Sequence, residues 1–111
     1  MADPYVTLNQ GYVDKDGNAH RKVKMRPPKI MDEVEAEQAR KSSKYNQSEV
    51  YEQILLVHRC IVDWADIVDV KVEHLQALSR GDLVKLISKM NELDEAEGAN
   101  QGNPASSSAA G

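Results

Sequence analysis

The chain opens with apolar and polar positions in alternation and later changes to a helical spacing. Val6, Leu8 and Tyr12 fall on alternate positions of the segment 5–13, the two-residue period of a strand with one buried side. Asp14-Lys15-Asp16-Gly17-Asn18 follows, and Asp-Gly is a strong hairpin signal because glycine accepts the positive φ of such turns. In the return segment Val23 and Met25 share one side, while His20, Lys22, Lys24 and Arg26 form a wholly basic opposite face. Pro27-Pro28 ends the ladder, since proline donates no backbone hydrogen bond. The pattern predicts a β-hairpin over 5–26.

From Asp32 the period lengthens. Asp32 with Glu35 resembles a capping box and predicts a surface helix over 32–41, with only Val34, Ala36 and Ala39 as apolar residues. Asn46 with Glu49 marks a second start, for a helix over 47–66. Val50, Ile54, Val57, Ile61, Trp64 and Ala65 share one face of it, flanked by Tyr51, Leu55 and Val62 on one side and by Leu56 and Cys60 on the other. A helix apolar over most of its girth is central or faces a partner. Ile67 to Val72 reads as an extended connection, 73–77 as a short helix, and Ser79-Arg80-Gly81-Asp82 as the capped start of a helix over 80–94. Leu83, Leu86, Ile87, Met90 and Leu93 form its apolar stripe. Residues 96–111 contain no large apolar side chain and are expected to be disordered. The fold class is therefore α+β: a hairpin, three main helices and one short helix in a single small domain over 1–95, then a tail.

Composition narrows the function. The 111 residues suit one domain, and with no phenylalanine the core must be aliphatic and small. No apolar run approaches the roughly 20 residues of a membrane span, and Met1-Ala2-Asp3-Pro4 opens no secretory signal. The lone Cys60 excludes an internal disulfide and suits a reducing compartment. Net charge is −4, unlike a general nucleic-acid binder. It divides unevenly: six basic and three acidic residues in 1–29 give +3, and eight basic and fifteen acidic residues in 30–111 give −7. That asymmetry allows contact between copies.

No catalytic, metal or cofactor constellation emerges. His58 and Cys60 point apart on a helix, and His20 and His74 belong to other elements. His58 reads as a partly buried helix residue and Cys60 as a small buried hydrophobe. Acid pairs such as Asp63 with Asp66 and Glu33 with Glu37 read as solvated faces. Asp14-x-Asp16-Gly17-Asn18 lacks the frame and closing glutamate of a calcium loop and reads as a turn. The basic strand face could hold phosphate, but only Tyr5 or Tyr12 lies near enough to interleave. Its simpler role is a solvated face that blocks sheet-to-sheet aggregation.

The order of elements, with three segments, resembles a family. The segments are Lys24-Met25-Arg26-Pro27-Pro28-Lys29-Ile30-Met31-Asp32-Glu33, then Val34-Glu35-Ala36-Glu37, then Leu75-Gln76-Ala77-Leu78-Ser79-Arg80-Gly81-Asp82-Leu83. Over residues 5–94 the chain is similar to the small tail assembly chaperones of Mu-like tailed phages and prophages. The resemblance implies a non-enzymatic protein of the bacterial cytoplasm, absent from the mature virion and without a cofactor. It implies that the chain binds the long helical tape measure protein and keeps it soluble until tail tube subunits polymerise around it. It also implies a frameshifted longer form that reaches the tail tube protein. The residues best suited to touch the partner are Leu55, Leu56, Val62, Trp64 and Ile67, then Leu86, Met90 and Leu93, all of which are equally good core candidates. The alternative is a small adaptor that binds nucleic acid through the basic face of His20, Lys22, Lys24 and Arg26.

Overall fold

The computed structural model describes residues 2–101, the last three by backbone alone. The hairpin turn is organised by Asp14, whose carboxylate accepts the N–H groups of Asp16 and Asn18, each at 2.9 Å. Gly17 takes a φ of 85° in open space. The turn joins β1 (Tyr5–Val13) to β2 (Ala19–Met25) as an antiparallel pair. The mixed α+β class expected from the pattern is present.

The pairing is not regular. Thr7 faces Lys22, yet Tyr12 faces His20, so Leu8 to Gly11 bulge out opposite Arg21 alone. The bulge drives Leu8 fully into the core. Gly11 sits at φ 76°, where an added Cβ would collide with the His20 carbonyl.

Pro27-Pro28 leads into α1 (Ile30–Lys41). The helix begins two residues before the expected start. Asp32 is its third residue, not its cap, and its carboxylate accepts the N–H of Lys29 at 2.7 Å. The next helix, α2 (Glu49–Cys60), is capped by Ser48, whose hydroxyl accepts the Tyr51 N–H at 3.1 Å, and not by Asn46.

The largest departure follows. The helix expected over 47–66 stops at Cys60, and Ile61–Trp64 is a strand, β3. It pairs antiparallel with β2, giving the sheet order β1-β2-β3 with β2 central. Ile61 and Val62 are β-branched and suit extended backbone. The open edge of β2 supplies the pairing that an isolated helix face cannot, and Trp64 locks it by donating its indole N–H to the His20 carbonyl at 2.9 Å. Ile67 then bridges back to Trp64.

α3 (Val72–Gln76) is one turn, shifted one residue from its expected place. α4 (Arg80–Gln101) starts as the sequence indicates, with Ser79 Oγ accepting the Asp82 N–H at 3.2 Å. It runs seven residues past its expected end at 94. Residues 96–101 are thus helical, against the expectation of disorder: Ala96, Glu97, Ala99 and Gln101 are helix formers, and Gly98 costs only about 1 kcal/mol inside a helix. The remainder of that expected tail, 102–111, lies outside the described residues.

The core gathers Leu8, Val23 and Met25 from the sheet with Trp64 of β3, Val57 and Cys60 of α2, and Leu75 of α3. Leu86, Met90 and Leu93 of α4 close it from the other side. α2, α3 and α4 thus pack over the sheet face that carries Leu8, Val23, Met25 and Trp64, and Tyr5, Lys22 and Asp63 stand exposed on the other.

Candidate binding groove

α1 contributes one buried aliphatic residue, Ala36, so apolar packing holds it only weakly. A polar node fastens it. Asp32, 3 % exposed, accepts two hydrogen bonds from Arg26, the residue after β2, at 2.8 and 3.0 Å, and one from Arg59 Nε of α2 at 3.0 Å. Arg59 also pairs with Glu35, and Arg26 donates to the Arg59 carbonyl at 2.7 Å. The Arg26 guanidinium, aided by the Lys29 N–H and Arg59, holds the Asp32 carboxyl well below the usual carboxylate range despite its burial. At the far end of α1, Arg40 pairs with Glu52 of α2 at 2.7 Å.

Fixed in this way, α1 stands clear of α4 and leaves a groove of about 880 Å³. One wall is Pro28, Lys29, Ile30 and Glu33, and the floor includes Gln53 and Leu56 of α2. The other wall is a single stripe of α4: Ile87, Met90, Asn91, Asp94, Glu97 and Gly98. A shallower hollow continues past Ile30 along Val34, Glu37 and Glu52. Ile30, Met31 and Val34 are 73, 57 and 47 % exposed, so α1 leaves its larger apolar side chains uncovered, Ile30 in the groove and Val34 in the hollow next to it.

The eight residues expected to touch a partner separate. Leu56 and Met90 meet in the groove. Leu55 is half-buried on α2. Val62 and Ile67 border a different hollow of about 280 Å³ beside β3, with Val68 and Val70. Trp64, Leu86, Met90 and Leu93 belong to the core, and for Leu86 and Leu93, which line none of these hollows, this corrects their assignment to a partner surface, while Trp64 also backs the hollow beside β3. Met90, 2 % exposed, offers only a sliver to the groove floor. Ile30, Met31 and Val34 are not among the residues expected from the pattern to touch a partner. Their spacing of one and four residues already put them on one side of α1.

The basic face also divides. Arg26 is committed to Asp32, and His20 is held by Asp14 at 2.9 Å and the Ala65 carbonyl at 2.8 Å. That leaves Lys22 and Lys24, both over the Tyr5 ring at 4.6 and 5.8 Å, with Asp63 paired opposite Lys24. His20, Tyr12, Trp64 and His74 form an aromatic cluster, its closest pair Tyr12 and His74 at 4.6 Å. His74 Nδ1 accepts the Lys71 N–H at 2.8 Å, and His58 Nε2 donates to the Val70 carbonyl at 2.8 Å. Cys60 is fully buried, and that burial pushes its thiol up to about 11. Both Cys60 and His58 therefore have structural settings.

Among the described residues no cluster of His, Cys, Asp and Glu is placed to share a metal ion, and no helix is long and apolar enough to cross a membrane. Compared with protein-family models, with curated proteins and with solved structures, the chain finds no match in any of the three.

Proposed function

We propose that this protein is a non-enzymatic assembly chaperone of the phage tail, which binds helical segments of a tape measure protein in the host cytoplasm and does not enter the finished virion. The observation that carries this reading is the groove that α1 forms with α2 and α4, with the exposed Ile30 in its lining and the exposed Val34 in the hollow that adjoins it. A long tape measure helix has apolar stripes that aggregate in water, and an amphipathic helix laid in an apolar groove is a recurrent mode of recognition. The net charge of −4 keeps such a complex soluble. The resemblance of residues 5–94 to tail assembly chaperones supplies the partner's identity, and with it a longer frameshifted form that engages the tail tube protein.

The test is co-expression with a tape measure fragment. The soluble share of the fragment should rise several-fold with this protein present. A fragment no more soluble with the protein than alone contradicts the reading. The nucleic-acid alternative is disfavoured because two of its four basic residues, His20 and Arg26, are already engaged by acids.

A further inference from the structure

We propose that the groove between α1, α2 and α4 selects a helix of about three turns whose apolar side is bordered at one end by lysine or arginine. This rests on the reading of the protein as a helix-binding chaperone, and adds the length and charge pattern that its ligand must carry.

Length follows from α4. Residues 87, 90, 91, 94, 97 and 98 recur at helical spacing and form one stripe. From Ile87 to Gly98 the stripe rises about 16 Å at 1.5 Å per residue, the length of three turns. Apart from Pro28 and Lys29, which precede α1, the described lining residues are helical and none belongs to a strand, so an extended peptide finds no backbone ladder to join.

Charge follows from the order of side chains along the stripe. Along α4 the apolar Ile87 and Met90 come first, and Ile30 and Leu56 add apolar side chains to the same lining. Asp94 and Glu97 follow one to two turns later, and Glu33 adds a third acid to the lining, where Lys29 is the one cation among the described residues. Among the described residues no ion pair engages Glu33 or Asp94. Gly98 leaves open space where a side chain would stand, which admits the long stem of a lysine or arginine at the acidic end. A polyanion such as nucleic acid is repelled by the same lining.

The experiment uses the full chain and three labelled amphipathic peptides of about 16 residues. They share one apolar face and differ only in a lysine, glutamine or glutamate flank, and fluorescence anisotropy reads binding. The lysine-flanked peptide should bind about ten-fold more tightly than the glutamate-flanked one at low salt, with the gap narrowing at high salt. In the variant Asp94→Lys with Glu97→Lys, both exposed positions, the preference should reverse while the circular dichroism spectrum stays unchanged. Equal binding of all three peptides overturns the charge pattern and leaves the chaperone reading to its own co-expression test. A preference that survives the double variant places the site elsewhere and overturns the proposal. So does failure of all three to bind a protein that does solubilise the tape measure fragment.

Discussion

The carboxylate of Asp82, wholly buried in the first turn of α4, accepts the backbone N–H of Gly11 at 2.9 Å in the bulge of β1. It also takes the N–H groups of Asn9 and Gln10, at 2.7 and 3.1 Å. One side chain thus replaces the sheet partners that the bulge removes, and it ties the start of the last helix to the first strand. Asp82→Ala leaves three N–H groups unpaired and should lower unfolding free energy by about 3 kcal/mol or more in a urea titration. Asp82→Asn keeps one acceptor and should fall between.

The same contact dictates an acid response. Burial pushes the Asp82 carboxyl up, but the N–H groups of Gly11, Asn9 and Gln10 outweigh it, so its pKa is held below the ordinary value of 3.8. The Arg26 hydrogen bonds, together with the Lys29 N–H and Arg59, depress Asp32 further. A depressed carboxylate contributes stability that is present above the unfolded pKa and is lost as pH falls through the folded one. Stability should therefore drop below about pH 4, and the drop should shrink in Asp82→Asn, checked by thermal melts between pH 2 and 6.

Gly11 and Gly17 both have positive φ and differ in surroundings. A methyl at Gly11 meets the His20 carbonyl, whereas a methyl at Gly17 meets nothing within 4 Å. Gly17→Ala should cost about 1 kcal/mol, the strain of a left-handed residue alone. Gly11→Ala should cost at least about twice that, because the backbone must shift as well. Equal losses in denaturant unfolding would count against the bulge geometry.

Asp32 carries the attachment of α1. Removing it takes the shared acceptor from Arg26 and Arg59, which keep the Arg59 carbonyl and Glu35 as partners, so Asp32→Ala should destabilise by about 1.5–3 kcal/mol. The loss should concentrate in α1: amide exchange there should accelerate before the sheet is affected. Peptide binding in the groove should weaken in parallel.

His20 gives a signal of the opposite sign. The Asp14 carboxylate, then the Ala65 carbonyl, raise its pKa above 6.5, and His20 in turn lowers Asp14. A raised histidine contributes stability that is full below the unfolded pKa and lost as pH rises through the folded one. The His20 ring signals in NMR should titrate later than a model histidine, and Asp14→Asn should bring them back towards it.

Much of the fold is legible in the chain. Asp16-Gly17 between alternating runs gives the hairpin, and the stripe from Leu83 to Leu93 gives α4. The switch at Ile61 is hidden because residues 50, 54, 57, 61 and 64 continue one helical period while the backbone changes to a strand. Only the open edge of β2 decides it, and that edge lies more than 30 residues away in sequence. Asp82 is legible as a member of a helix start, but its partners Asn9, Gln10 and Gly11 come from the other end of the chain. The apolar stripe of α4 is clear, yet periodicity cannot divide Leu86 and Leu93, which face the core, from Ile87, which faces the groove. The groove exists because Asp32 sets the position of α1, and no local pattern announces that contact.

The most direct measurement is methyl NMR of the full chain titrated with a tape measure fragment. Signals of Ile30, Leu56, Ile87 and Met90 should shift or broaden together, while those of Val62, Ile67 and Val68 beside β3 stay in place. Shifts confined to the β3 side, or none while the fragment remains soluble, would contradict the groove as the binding surface.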